Sequence, residues 1–147
     1  MSVKVLALDL ERTLIDDALN ARPRPGLGDF LAFCDEQFGR AAIYTTVEEA
    51  EAREVMDDLG RRGHVPPALL ARLEYIGWSG QYKDLEYVPG VSVEEVVLVD
   101  DDAGWVRPDQ RVQWVAITPW DGGPDGELLR VRSVLGRWLV GAAARDA

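Results

Sequence analysis

Two uninterrupted apolar runs that end in carboxylates constrain the fold of this chain most. Val5–Leu8 leads into Asp9, and residues 96–99 lead into the three successive aspartates 100–102. Short aliphatic runs of this kind are typical of strands buried on both faces of a parallel sheet. Such sheets bind ligands beyond the carboxyl ends of their strands. We therefore expect both acidic groups to lie at that edge of one sheet.

Helical periodicity fills the intervals between the apolar runs. The pattern predicts strands at 3–9, 41–44, 75–76, 96–99 and 112–117, with helices at 28–38, 46–59, 67–73 and over a terminal apolar stripe from 128 to 139. This alternation predicts a three-layer α/β/α sandwich around a mainly parallel, Rossmann-like sheet. Thr46 and Glu49 match a capping box, which would leave Thr45 free at the end of its strand.

Length and charge narrow the class of protein. A chain of 147 residues is expected to form a single domain, 1–147. The net charge of −10 argues against a nucleic-acid or anionic-membrane surface, since both require basic patches. No membrane span and no secretory signal are apparent, so we expect a cytoplasmic protein. The single cysteine, Cys34, excludes an internal disulfide and is expected to be a buried small hydrophobe.

Clustered carboxylates at one sheet edge are unfavourable unless a cation joins them. Hard oxygen ligands suit Mg²⁺, which combines a few carboxylates with water and a phosphate. Thr45 offers a hydroxyl to such an anion, and Lys83 offers a positive charge. The residues themselves therefore favour a site for a metal and a phosphate.

The order of these residues resembles the haloacid dehalogenase superfamily of phosphohydrolases. The residues concerned are Asp9-x-Glu11-x-Thr13, then Thr45, then Lys83, then Asp100 and Asp101. The resemblance covers nearly the whole chain and is closest to the capless branch of carboxy-terminal-domain phosphatases of the NLI-interacting-factor type. Further segments similar to that branch are 24–31, 43–46, 82–85 and 97–101. It implies a HAD-like sheet with a minimal cap or none.

The resemblance also implies roles for four side chains. Asp9 would be the nucleophile that becomes an aspartyl-phosphate. Glu11 stands where the family usually has a second aspartate, which protonates the leaving oxygen and then activates water. Thr45 would hold a phosphate oxygen. Lys83 would neutralise charge on the nucleophile and the phosphoryl group.

The same resemblance implies a Mg²⁺ site. Its ligands would be Asp9, the backbone carbonyl of Glu11, and Asp100 and Asp101, either directly or through water. Asp102 is expected to face solvent.

Three functions stay open at this point. The first is a Mg²⁺-dependent phosphomonoesterase whose open site suits a phosphoprotein or other bulky phosphate ester, or a small phosphate ester. The second is a phosphate- or protein-binding module without turnover, which Glu11 supports because its extra methylene displaces the carboxyl group. The third is a receiver domain, against which the order aspartate, threonine, lysine, acidic pair counts heavily.

A few other residues have weaker signals. Arg12 is expected to be a solvated surface charge, with substrate contact as the alternative. Trp78 and Trp105 are the tryptophans that could line the mouth of the site. His64, the only histidine, is expected to be structural or exposed.

Overall fold

A computed structural model describes residues 2–146, with side chains described through residue 141. Its centre is a five-stranded sheet in the order β3-β2-β1-β4-β5, in which every pairing is parallel. The strands are β1 (Val5–Leu8), β2 (Arg40–Ile43), β3 (Glu74–Tyr75), β4 (Val96–Asp100) and β5 (Trp114–Ala116). Because β1 is central and pairs with β2 and β4, their carboxyl ends meet at one edge.

Four α-helices cover one face of the sheet. They are α1 (Leu27–Gln37), α2 (Glu49–Arg61), α3 (Pro67–Arg72) and α4 (Glu127–Asp146). Their apolar residues pack with Leu6 and Leu8 of β1 and with Val97 and Val99 of β4 in one core. Cys34 of α1 is fully buried in this core, as expected, and burial raises the pKa of its thiol.

The alternate strand residues face a second core. Val5 and Ala7 of β1 and Val96 and Leu98 of β4 pack there against loops and short 3₁₀ helices. The 3₁₀ helices span Leu85–Tyr87, Val93–Glu95, Ala103–Trp105 and Pro108–Gln113, and Leu85 and Val93 contribute to this core. The predicted α/β class with a parallel sheet is confirmed. Its third layer consists of 3₁₀ turns and loops.

The start of α2 differs from the prediction. The helix begins at Glu49, no side chain caps it, and Thr46 is exposed. Thr45, not Thr46, uses its hydroxyl oxygen locally, since Thr45 Oγ1 accepts a hydrogen bond from the Val47 N–H at 3.1 Å. The chain bends at residues 46–47 and Glu48 directly precedes the helix, so the predicted capping box is wrong.

The strand predicted over 112–117 is shorter than expected. A 3₁₀ helix that starts at Pro108 continues to Gln113, and only Trp114–Ala116 pair with β4. Pro108 favours the first turn of a helix because its φ is fixed near the helical value. The apolar pattern over 112–117 does not include this residue, so the pattern alone predicts a longer strand. None of the helices in residues 2–146 is long and apolar enough to cross a membrane.

Candidate active site

Asp9 and Asp100 lie side by side at the carboxyl edge of the sheet. Val99 pairs with Leu8, and the Asp9 N–H donates to the Val99 carbonyl at 3.0 Å. Asp9 and Asp100 occupy the alternation positions that face the second core, and they are 6% and 0% exposed. The strand register therefore brings two buried carboxylates together.

Lys83 joins these two carboxylates. Its Nζ lies 2.8 Å from Asp9 Oδ1 and 2.6 Å from Asp100 Oδ2, and the side chain is 1% exposed. Burial alone would lower the pKa of Lys83, but the charges of Asp9 and Asp100 raise it above its usual value. The ammonium is therefore fixed in its charged form beside Asp9.

Asp101 completes a group of three acids. One carboxylate oxygen from each of Asp9, Asp100 and Asp101 lies within 4.8 Å of the others. Burial, together with the neighbouring carboxylates, raises the pKa of Asp101 to about 7 and that of Asp100 to about 6. One lysine does not balance three acids, and carboxylate oxygens are the ligands that Mg²⁺ prefers. The donor set therefore fits a divalent cation.

Two threonines supply hydroxyl groups at this edge. Thr13 is fully buried, and its Oγ1 donates to Asp9 Oδ2 at 2.7 Å. Thr45 follows β2, next to β1, and its Oγ1 accepts from the Val47 N–H. A hydroxyl that accepts one hydrogen bond still has its own proton to donate. Thr45 can therefore donate to a phosphate oxygen.

Glu11 lies at the start of the loop that follows Asp9, and its side chain turns toward that loop. Glu11 Oε2 accepts a hydrogen bond from the Ala18 N–H at 2.7 Å. Its carboxylate is not part of the three-acid group found among the described residues. Its proposed proton transfer and its carbonyl contact with metal stay predictions.

A buried arginine anchors the 12–24 loop. Arg24 forms a two-pronged ion pair with Asp125, with distances of 2.7 and 3.0 Å. The Arg24 guanidinium also donates to the backbone carbonyls of Arg12 and Thr13 at 3.1 and 3.3 Å and of Thr118 at 2.6 Å. This one side chain therefore connects the loop that carries Thr13 to the loop before α4.

Arg12 has a left-handed backbone, with φ 62°. Its N–H donates to the Ile15 carbonyl at 2.7 Å, and its own carbonyl accepts from the Trp120 N–H at 3.0 Å. The side chain is exposed, which is compatible with both expectations for it, a surface charge or a substrate contact. Asp102 is also exposed, as predicted, and its carboxylate accepts from the Gly104 N–H at 2.8 Å.

Two surface clefts are each lined by a residue of the predicted site. One, of about 440 Å³, is lined by Thr45, Trp78 and Trp105 among others, so both tryptophans lie at a cleft that Thr45 also lines. The other, of about 490 Å³, is lined by Arg12, Asp101, Asp102, Pro119, Trp120 and Asp121. Both open to the surface; of the residues predicted for the site, Thr45 lines the first cleft and Asp101 lines the second.

The sequence profile of the NLI interacting factor-like phosphatases matches residues 4–144. The chain belongs to this family. It is thus a member of a phosphatase family of the haloacid dehalogenase type, as its motifs predicted. No curated protein matches the sequence at a significant level.

Solved structures share the fold of this family member. One is Fcp1, described as an essential RNA polymerase II CTD phosphatase, with a TM-score of 0.61 and 17% identity. The match covers 97% of this chain and 50% of that one, so the chain spans about half the length of Fcp1. A second crystal structure gives a TM-score of 0.55 at 12% identity, covering 97% of this chain and 85% of the other.

Some residues of the site were not singled out from the sequence. Thr13 belongs to the motif Asp9-x-Glu11-x-Thr13, but the motif alone does not predict its contact with Asp9. A turn after the end of β1 brings the two side chains together, since they are four residues apart. Arg24 was also in a recognised segment. Its partner Asp125, in a glycine- and proline-rich stretch, has no sequence signal that separates it from an ordinary turn residue.

Proposed function

We propose that this protein is a Mg²⁺-dependent phosphomonoester hydrolase that acts through an aspartyl-phosphate on Asp9. The observation that carries the proposal is the contact of Asp9 Oδ1 with Lys83 Nζ at 2.8 Å, at the edge where Asp100 and Asp101 converge. Phosphoryl transfer depends mainly on positioning and on charge neutralisation, and this group supplies both.

The chain's own residues account for the positioning of the nucleophile. Lys83 and Thr13 each bind one oxygen of Asp9, which fixes the direction of the carboxylate. In the proposed reaction an Asp9 oxygen attacks phosphorus as the ester oxygen leaves, and water then releases phosphate. Lys83 offsets charge on the phosphoryl group, and the Thr45 hydroxyl binds one of its oxygens.

Asp9, Asp100, Asp101 and the carbonyl of Glu11 would hold Mg²⁺. When bound, the metal would neutralise phosphoryl charge and reduce the repulsion among the carboxylates. The raised pKa values of Asp100 and Asp101 support this assignment, since they reflect carboxylates that lack sufficient positive charge nearby.

Glu11 is proposed to protonate the leaving oxygen and then to activate water. Its bond to the Ala18 N–H is compatible with this role, because a carboxylate has a second oxygen available. The same bond favours an alternative function. If Glu11 stays on the loop throughout, the protein would bind phosphate or a phosphorylated partner without turning it over.

The substrate is proposed to be a phosphoprotein or another bulky phosphate ester. The chain between Thr45 and Lys83 forms α2, α3 and β3, which join the main core and sheet and do not form a separate cap. Two open clefts beside Asp101 and Thr45 support access for a large substrate. A cytoplasmic location stays a prediction from the sequence.

A screen of phosphate esters with Mg²⁺ tests this function. We expect the wild type to release phosphate, with loss on chelation of the metal, and Asp9→Asn to lose at least about 1000-fold in kcat, as expected when a nucleophile is removed. Equal inertness of the wild type and Asp9→Asn across several divalent metals, with phosphate still bound, would favour the binding module.

A further inference from the structure

An aromatic wall lies beside the proposed phosphoryl site. The cleft of about 440 Å³ is lined by Thr45, Trp78 and Trp105, among others. Both indoles are half-buried and pack edge to face, with ring centroids 5.8 Å apart. Trp78 also packs on Tyr44 at 5.7 Å. Partly accessible tryptophans at a cleft provide a large apolar surface for a ligand.

Both tryptophans are fixed to the backbone of residues proposed to handle phosphate. Trp78 Nε1 donates to the Thr45 carbonyl at 2.8 Å. The Lys83 N–H donates to the Trp105 carbonyl at 2.8 Å. These two bonds connect the aromatic wall to Thr45 and Lys83, so a ring bound on the wall would lie in a cleft that Thr45 also lines.

The charged residues that line this cleft are acidic, namely Glu48 and Glu49. Of the residues described as lining it, none carries a positive charge. Glu49 is paired with Arg53 at 3.0 Å, and the Arg53 guanidinium covers the Tyr75 ring at 4.2 Å. The aromatic surface next to Thr45 is thus that of the two indoles, with the Glu48 carboxylate at the rim.

The second cleft offers a different environment. Asp101, Asp102 and Asp121 bring three carboxylates to it, together with Arg12. An apolar group would lose hydration there without gaining an apolar surface other than Trp120 and Pro119. Of the two clefts, the one along Trp78 and Trp105 is therefore the better match to an apolar leaving group.

We propose that Trp78 and Trp105 form a leaving-group subsite that selects aryl phosphate monoesters. This inference rests on the proposed function, because it assumes that the phosphoryl group lies between Asp9 and Thr45. The ring of the substrate would pack against the indoles while its phosphate reaches Lys83. Phosphotyrosine on a protein and a small phenyl phosphate share this chemistry.

Trp105→Leu is the clean test, because the Lys83–Trp105 bond uses the backbone and survives the substitution. Calorimetric binding of phenylphosphonate and methylphosphonate, neither of which is hydrolysed, measures the subsite without turnover. We expect Trp105→Leu to lower the affinity for phenylphosphonate about tenfold, as the loss of an aromatic contact implies. The affinity for methylphosphonate should fall by about twofold at most. Trp105→Phe should recover most of the difference, and Trp138→Leu, in α4, should weaken neither ligand.

Steady-state kinetics with matched peptides tests whether the subsite selects an aryl ester on a protein as well as a small aryl phosphate. KM for a phosphotyrosine peptide should rise in Trp105→Leu more than KM for the same peptide with phosphoserine, and phenyl phosphate should follow phosphotyrosine. If phenylphosphonate binds no better than methylphosphonate, or if Trp105→Leu affects both equally, the subsite is overturned even when hydrolysis proceeds. If no ester is hydrolysed but phenylphosphonate binding depends on Trp105, the indoles bind the aryl group of a phosphate ligand without a leaving-group role, and the proposed hydrolase fails.

Discussion

Asp9 and Glu11 are two residues apart, but Asp9 is buried among charged partners and Glu11 is partly exposed on a loop. Asp9 follows a central strand, is 6% exposed, and is bound by Lys83 and Thr13. Glu11 is partly exposed and bonds to the loop through the Ala18 N–H. The sheet register fixes the first carboxylate, whereas the second depends on how the 12–24 loop folds. Binding and turnover can therefore be separated by mutation.

The buried charge group should respond most strongly. Lys83→Met leaves Asp9 and Asp100 buried without their cation, so we expect the free energy of unfolding to fall by about 3–5 kcal/mol. Urea denaturation measures this loss. Mg²⁺ should restore part of it, since the metal would replace the missing positive charge.

Lys4→Met is the matched control. Lys4 pairs with Glu95 at 2.7 Å, but its side chain is 58% exposed. Solvent-exposed pairs contribute roughly 0–1 kcal/mol, so this variant should stay close to the wild type. Equal losses in the two lysine variants would contradict the distinction between the buried group and the surface.

The loop carboxylate should affect turnover more than stability. Glu11→Gln keeps an oxygen for the Ala18 N–H but cannot transfer a proton, so we expect kcat to fall about 100-fold or more. Glu11→Asp keeps the acid and is too short to preserve the loop bond without movement. It should retain more activity than Glu11→Gln in steady-state assays, and the reverse order would show that Glu11 is a structural residue.

The anchor of the loop gives an intermediate effect. Arg24→Lys keeps a charge but loses the two-pronged contact with Asp125 and the donors to the loop carbonyls, which should cost about 2 kcal/mol of unfolding free energy. Arg53→Lys, on an exposed pair with Glu49, is the control and should cost under about 1 kcal/mol. Similar thermal denaturation curves for the two variants would argue against an anchoring role.

The smallest expected effect is the pH dependence of Mg²⁺ stabilisation. Asp101 and Asp100 have folded pKa values raised to about 7 and about 6. Without metal, protons bind these groups more tightly in the folded chain, so stability should fall as the pH rises from about 4, the ordinary aspartate value, toward 7. Protons compete with Mg²⁺ for these two carboxylates below about pH 7.

Thermal unfolding at pH 5.5 and at pH 8 checks this dependence. At ten times its dissociation constant Mg²⁺ adds about 1.4 kcal/mol, or roughly 3–6 °C in Tm. The shift should be larger at pH 8. A shift that is absent at both pH values, or larger at pH 5.5, would contradict metal binding by Asp100 and Asp101.

Much of the fold could be predicted from the sequence because its strands are buried on both faces. The apolar runs before Asp9 and Asp100 have few alternatives to parallel pairing, and a parallel sheet brings their ends together. Lys83 was identified by its place in the family order. Its contacts with both acids depend on a loop whose course no local pattern describes.

The structure differs from the prediction where several local hydrogen-bond arrangements are possible for the same residues. Thr45 and Thr46 have the same side chain, and only the fold decides that Thr45 accepts from the Val47 N–H and that α2 starts at Glu49. Likewise, the bond from Ala18 to Glu11 and the ion pair of Arg24 with Asp125 join residues across loops. Such contacts have no periodicity in the sequence.

The most direct test of the central claim is to locate the phosphoryl group. The protein is mixed with Mg²⁺ and a phosphate ester that it hydrolyses, quenched in acid during turnover, digested, and mapped by mass spectrometry. We predict a phosphorylated peptide that contains Asp9 in the wild type and none in Asp9→Asn. Turnover without phosphorylation of Asp9, or an unchanged rate in Asp9→Asn, would contradict the account.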